Sequence, residues 1–239
     1  MIIFLIKKTF FDFLNNAFCL VLINAGFFIL CAVPLLVCKI FDTFLSEVLK
    51  AVIIITGIIF CAIYMHLAVK ILRNISDGKI LQFKKKNINK NIITKNIILK
   101  IIFQTIPQGI VHGIFISVVF FIFNSVLPFF LYNNSMISLI MASLLFWAAL
   151  IVIMAFQFFP SVRLRTMSST TLKAVQESFS FFFGNKIFCI LCMIFSAVIM
   201  LISLPAAFLF PGMAGVLLFF DEALCLRQQL FSIPSQKKL

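Results

Sequence analysis

Long apolar runs separated by short polar segments dominate the chain. An α-helix rises 1.5 Å per residue, so about 20 apolar residues cross the roughly 30 Å hydrocarbon core of a bilayer. Six runs reach or approach that length. They lie at about residues 14–38, 51–69, 110–131, 137–159, 187–204 and 206–226. The pattern predicts an all-α membrane protein, a six-transmembrane-helix bundle forming a single integral membrane domain over residues 1–239.

The stretch 187–226 allows two interpretations. Pro205 and the pair Pro211-Gly212 interrupt it, so two short helices or one bent helix would fit. Two helices are favoured because an even number of spans keeps Arg227 and the basic C-terminal residues on the same side as the other cations.

Composition agrees with a membrane class. Hydrophobic residues make up 63% of the chain, charged residues 11%, and the mean hydropathy is +1.19. A soluble domain of this size could not bury that much apolar surface. The net charge of +13 does not indicate a nucleic-acid partner, because the cations lie at the ends of apolar runs and not on a basic soluble face.

The distribution of cations predicts the orientation. With a cytoplasmic N-terminus, 18 of the 20 Lys and Arg fall in cytoplasmic segments, and only Lys39 and Lys50 fall outside. Cytoplasmic loops of membrane proteins carry such an excess. We therefore expect both termini to be cytoplasmic, in the cytoplasmic (inner) membrane.

The N-terminus is predicted to be an interfacial segment. Lys7 and Lys8 precede an apolar run that is longer than the core of a signal peptide, and no small-residue cleavage site follows it. We expect residues 1–13 to lie at the membrane surface and the first span to be retained.

Two cytoplasmic segments have amphipathic periodicity. Residues 87–103 predict a basic helix on the membrane surface, followed by an elbow at Pro107. The anionic cytoplasmic leaflet is its expected partner. The lysines predicted to contact anionic lipid are Lys84, Lys85, Lys86 and Lys90.

The second amphipathic segment covers residues 171–182. Its predicted apolar face contains Leu172, Val175, Phe179 and Phe182, with caps among residues 168–171 and a stop at residues 184–185. A docking surface for a partner is one interpretation, and an ordinary interfacial connector is the favoured one.

Polar residues inside the spans are the natural candidates for a binding site. His66, His112, Asn124 and Gln157 are the predicted members of a polar pocket. Hydrogen bonding between packed helices is the competing interpretation, and Asn24 is expected to act in that way. His112 continues a stripe from Gln104 and Gln108, but the elbow is expected to leave both glutamines at headgroup level.

The acidic residues and the cysteines do not indicate proton coupling, redox chemistry or metal binding. Asp221 and Glu222 are expected near the cytoplasmic end of the last helix, where Arg227 and water would neutralise them, so proton coupling is disfavoured. Cys189 and Cys192 have CxxC spacing but lie on an apolar helix, which favours packing over a redox or metal pair. We expect no cofactor, no metal site and no enzymatic activity.

Four short stretches carry a family resemblance. Residues 64–73, residues 83–87, and residues 159–163 with 172–174 resemble the YesL-like family of bacterial multipass membrane proteins. The order of two spans, a basic segment, two spans, a second basic segment and a closing pair is similar too. The biochemical function of that family is unknown, and its members tend to be encoded beside carbohydrate-uptake systems. The resemblance supplies no catalytic residues.

Three functional hypotheses follow. An intramembrane enzyme is the least favoured, because the sequence has no His-Glu, Ser-Lys or paired-Asp arrangement. The favoured hypothesis is a non-enzymatic accessory or assembly subunit of a membrane transport system, such as one for carbohydrate uptake, with subunits of that system as partners. The alternative is a small transporter or substrate-binding subunit for an uncharged polar solute, since no mid-span ion is present to pair with a charged one. Sugar hydroxyls would suit amide and imidazole groups.

Overall fold

All regular elements of the described residues are helices, which confirms the predicted all-α class. The computed structural model describes residues 2–76, 93–133, 135–166 and 170–232. The helices are α1 (Ile2–Asn15), α2 (Ala17–Ile40), α3 (Glu47–Ser76), α4 (Ile93–Phe121), α5 (Leu127–Tyr132), α6 (Met136–Phe156), α7 (Phe159–Thr166), α8 (Thr171–Gly184), α9 (Lys186–Ser203) and α10 (Gly212–Ser232). A π-helical turn, Ile122–Val126, joins α4 to α5, and a 3₁₀ turn, Leu204–Ala206, follows α9.

Five helical stretches in the described part of the chain are long and apolar enough to span a membrane. They are Ala17–Ile40, Glu47–Arg73, Thr105–Tyr132, Met136–Val162 and Lys186–Ala206. Each overlaps one of the first five predicted spans. The predicted transmembrane helical character of the chain is therefore confirmed.

Helix α10 is the centre of the bundle. It packs against α1, α2, α3, α7 and α9, and every residue from Ala214 to Leu224 is buried. The predicted sixth span began at residue 206, whereas this helix begins at Gly212 and is not one of the five apolar stretches. Because protein surrounds residues 214–224, this part of the helix can contain Asp221 and Glu222 without exposing them to lipid.

Helix α1 covers one side of α10. Leu5, Thr9 and Phe13 recur every fourth residue and are buried, while Phe4 and Phe10 on the other face are exposed. Spacing of three or four residues places side chains on one helix face. The predicted interfacial segment is thus an amphipathic helix whose inner face packs on the bundle.

Close approach of α3 and α4 forms the most extensive helix pair. Gly109 and Gly113 lie on α4 against the backbone of Ile63 and Ile59, and a Cβ at either glycine would overlap those residues. Small residues four apart allow helix backbones to touch in membranes. This contact sets which side chains of α3 and α4 meet.

The predicted elbow at Pro107 does not interrupt the helix, since α4 continues through this residue. Gln108, one residue later, is buried in the protein. The side chains of residues 74–104, including Gln104 and the predicted lipid-contacting Lys84, Lys85, Lys86 and Lys90, lie outside the described residues, as does the backbone of 77–92.

Helix α8 buries only part of the predicted face. Phe182 is buried as predicted, and Val175 and Phe179 are partly buried against the core, but Leu172 is 79% exposed. Ala174 and Ser178, which were not predicted, are buried as well. Ser178 donates a hydrogen bond to the carbonyl oxygen of Ala155. Small residues let α8 lie close to α6, and the hydrogen bond fixes that face inward. The predicted start is confirmed, since the Thr170 hydroxyl accepts from the backbone N–H of Lys173.

Candidate functional site

Two buried histidines meet where α3 and α4 touch. Nδ1 of His112 lies 3.3 Å from Nε2 of His66, and the two side chains are 5% and 1% exposed. One nitrogen donates and the other accepts, which requires that at least one ring be neutral. The geometry brings together two residues that the sequence predicted for the same pocket.

Aromatic rings hold the pair in place. The ring of Phe159 packs edge-on against both imidazoles, with centroids 5.2 Å from His66 and 5.5 Å from His112. Phe156 lies 5.8 Å from His112 and 4.2 Å from Phe115. The edge-to-face contacts of Phe159 with the two imidazole rings are favourable. The histidines are therefore ordered by packing as well as by their hydrogen bond.

A cavity of about 380 Å³ opens beside His112. Residues of α3, α4, α6, α9 and α10 line it, together with Gln157. Its polar lining residues are His112, Gln157 and Ser196, and its apolar lining includes Met65, Phe115, Ile116, Val119, Val152, Ile153, Phe156, Met193, Met213, Leu217 and Phe220. Apolar walls with a few polar groups are typical of sites for small molecules.

Gln157 lies in the turn between α6 and α7. Its side-chain nitrogen donates to the carbonyl oxygen of Cys189 at 3.1 Å, which ties α6 to α9 beside the cavity. Ser196 donates to the carbonyl oxygen of Met193 one turn earlier, at 2.7 Å. Both residues thus combine a structural hydrogen bond with a position in the cavity wall.

Asn124 lies apart from this cavity. It is exposed, and its side-chain nitrogen donates to the carbonyl oxygen of Phe120 on its own helix, at 2.9 Å. Pro128 follows four residues later, and a proline ring clashes with the carbonyl of the residue four positions before it. The π-helical turn that contains Asn124 accommodates this proline. The structure does not bring Asn124 to the other predicted pocket residues.

Asn24 has a more specific role than general helix-to-helix hydrogen bonding. Its side-chain nitrogen donates to the carbonyl oxygens of Leu209 and Pro211, at 2.9 and 2.7 Å, and its oxygen accepts from the backbone N–H of Ala214 at 2.7 Å. The first backbone N–H groups of a helix have no partner within the helix. A residue of α2 therefore caps the start of α10.

Ser203 completes the connection between α9 and α10. Its hydroxyl accepts from the backbone N–H of Gly212 at 2.8 Å and donates to the carbonyl oxygen of Ile199 at 2.7 Å. Gly212 has φ +55 and lies against the side chain of Asn24, where a Cβ would overlap it. A positive φ and this close approach both require glycine.

The two acidic residues of α10 are buried, contrary to expectation. Asp221 is 0% exposed and Glu222 2% exposed. Glu222 accepts hydrogen bonds from Thr9 and from the ammonium group of Lys8, the latter at 3.0 Å. From the sequence, both acids were expected to contact water, because hydropathy does not show that protein surrounds α10. The absence of a buried acid therefore no longer argues against proton coupling.

The sequence did not indicate that Met65, Met193, Met213 and Ser196 line the cavity. Methionine is common in any apolar core, so its presence gave no signal. The glycines at positions 109 and 113 were a usable signal, since their spacing indicates a close helix contact and His112 precedes the second of them.

Comparisons of the chain with protein-family models, curated proteins and solved structures gave no match. The fold and the cavity therefore carry the functional argument.

Proposed function

We propose that the chain is a non-enzymatic multipass membrane subunit that binds a small, uncharged and mainly apolar molecule in the cavity beside His112. The observation that carries the proposal is the wall of this cavity, in which His112, Gln157 and Ser196 are the polar residues among apolar neighbours. A water molecule takes up about 30 Å³ in the liquid, so the cavity holds a molecule of roughly a dozen non-hydrogen atoms.

The residues that line the cavity argue against charged molecules and against sugars as ligands. A charged molecule would need a countercharge, and none of the lining residues carries a fixed charge. A polyhydroxylated sugar would leave most of its hydroxyl groups against apolar walls, at a cost for each unpaired group. One or two polar groups on an otherwise apolar molecule fit better, with the Nε2 atom of His112 as a hydrogen-bond partner.

The accessory role in a transport system, the YesL-like resemblance and the bacterial inner membrane remain parts of the proposal. They rest on the sequence resemblance and on the positions of the cations. The same holds for six spans with both termini cytoplasmic, with α10 as the sixth. Reporter fusions after Asn133 and after Leu239 test this orientation: the first is expected to read outside and the second inside, and opposite signals would refute it.

Native mass spectrometry tests the ligand proposal. The full chain is extracted from its host membrane in mild detergent, and wild-type protein is expected to carry a small non-covalent adduct. Ser196→Phe fills the cavity and is expected to abolish the adduct. Ser143→Phe is the matched control, because Ser143 is exposed on α6 away from the cavity. A wild-type protein without an adduct, or an adduct that persists in Ser196→Phe, would contradict the proposal.

A further inference from the structure

Two cysteine thiols face each other between neighbouring helices. Cys31 on α2 and Cys61 on α3 have their Sγ atoms 3.9 Å apart. Both line a second cavity, of about 310 Å³, together with Met65. Met65 follows Cys61 by four residues, so the two side chains lie on the same face of α3. Three sulfur-containing side chains therefore line one small apolar cavity.

The separation of the two thiols suits ligation of one metal ion. Metal–sulfur bonds of roughly 2.3 Å place two sulfurs of a trigonal centre about 4.0 Å apart. The observed 3.9 Å agrees with that value. A disulfide would instead require the sulfurs to approach to about 2.05 Å.

The ligand set selects the kind of ion. Structural zinc sites use four ligands drawn from Cys, His and carboxylates. Among the described residues, no three His, Cys, Asp or Glu side chains are grouped to hold a metal. Thiolate and thioether sulfur together favour soft ions, and copper(I) is the biological example.

We propose that Cys31, Cys61 and Met65 form a binding site for one copper(I) ion. Each thiol that ligates the ion loses its proton to water, and the copper stays in the +1 state, so no oxidant or reductant is needed. Met65 also lines the cavity beside His112, so the sulfur site borders the proposed ligand site without depending on it.

Competition with a coloured copper(I) chelator tests the site. The purified full chain, reduced and kept anaerobic in detergent, is expected to take one copper(I) from the chelator. The double variant Cys31→Ser with Cys61→Ser is expected to bind at least roughly 100-fold more weakly, and Met65→Leu roughly tenfold more weakly. Two matched pairs, Cys38→Ser with Cys225→Ser and Cys189→Ser with Cys192→Ser, are expected to bind like wild type.

Folding is checked separately by circular dichroism and size-exclusion chromatography. If the double variant does not fold, Met65→Leu and the single variant Cys31→Ser decide the outcome. Wild-type protein that takes no copper(I), or full binding in the Cys31 and Cys61 variants, would overturn the site. Thiol counting on the metal-free protein that shows these two cysteines already joined in a disulfide would overturn it as well.

Discussion

The ammonium group of Lys8 on α1 lies 3.0 Å from the carboxylate of Glu222 on α10, near opposite ends of the described chain. The Glu222 side chain is 1% exposed and that of Lys8 37%. Asp12 also lies 3.3 Å from Lys8. The ion pair therefore links the first helix to the central one and supplies the countercharge that a buried carboxylate requires.

Removing the Lys8 charge is expected to destabilise the protein. Lys8→Met leaves a buried carboxylate without its cation, and the partial exposure of Lys8 limits the cost to about 2 kcal/mol. In the double variant with Glu222→Gln, much of this loss is expected to be recovered, since no uncompensated charge remains. Thermal unfolding in detergent, followed by circular dichroism, measures both. Lys7→Met is the control, because Lys7 is exposed; equal effects at positions 7 and 8 would refute the role of the pair.

The same ion pair predicts a pH dependence at alkaline pH. Burial lowers the pKa of Lys8, but the carboxylates of Glu222 and Asp12 outweigh burial, and the pKa is raised above 10.5. Folding thus favours the protonated form, so the contribution of Lys8 is complete below the pKa of the unfolded chain and is lost as pH rises through the folded pKa. The difference in melting temperature between wild type and Lys8→Met is expected to shrink as pH rises above about 10.5. A constant difference up to pH 12 would contradict this.

Replacing Asn24 is expected to destabilise the protein much more than replacing Asn124. Asn24→Leu removes three hydrogen bonds between α2 and the start of α10, and we expect a loss of about 2 kcal/mol. Asn124→Leu removes one hydrogen bond within its own helix at an exposed position, and we expect a change of less than about 0.5 kcal/mol. Melting temperatures of the two variants under the same conditions make the comparison, and similar losses would refute the capping role of Asn24.

Close packing of α3 on α4 is expected to depend on Gly109. A methyl group at this position overlaps the backbone of Ile63, so Gly109→Ala is expected to separate the helices and to cost about 1–3 kcal/mol. Gly184→Ala is the matched control, because the space around Gly184 is open; there we expect no loss, or a gain of up to about 1 kcal/mol. Thermal unfolding distinguishes the two, and equal tolerance at both positions would exclude a tight contact.

The sequence predicted the positions of the lipid-facing helices well, because lipid requires a long apolar run wherever a helix crosses it. It could not predict the burial of Glu222, since hydropathy reports composition and not which neighbours surround a helix. Asn24 and Asn124 looked alike for the same reason: each is one amide in an apolar run, and only the fold shows that one of them meets α10. The elbow at Pro107 was expected from a local rule that the packing of α4 on α3 overrides.

The position of α10 has a consequence for how the protein is made. Ribosomes synthesise α10 last of the described helices, yet five earlier ones, α1, α2, α3, α7 and α9, pack against it. Until it emerges, Asn24 has no backbone to cap and Lys8 has no carboxylate to pair with. The bundle therefore closes only after its last described helix has been synthesised, and a chain cut short before residue 212 leaves the inner faces of the helices around it uncovered.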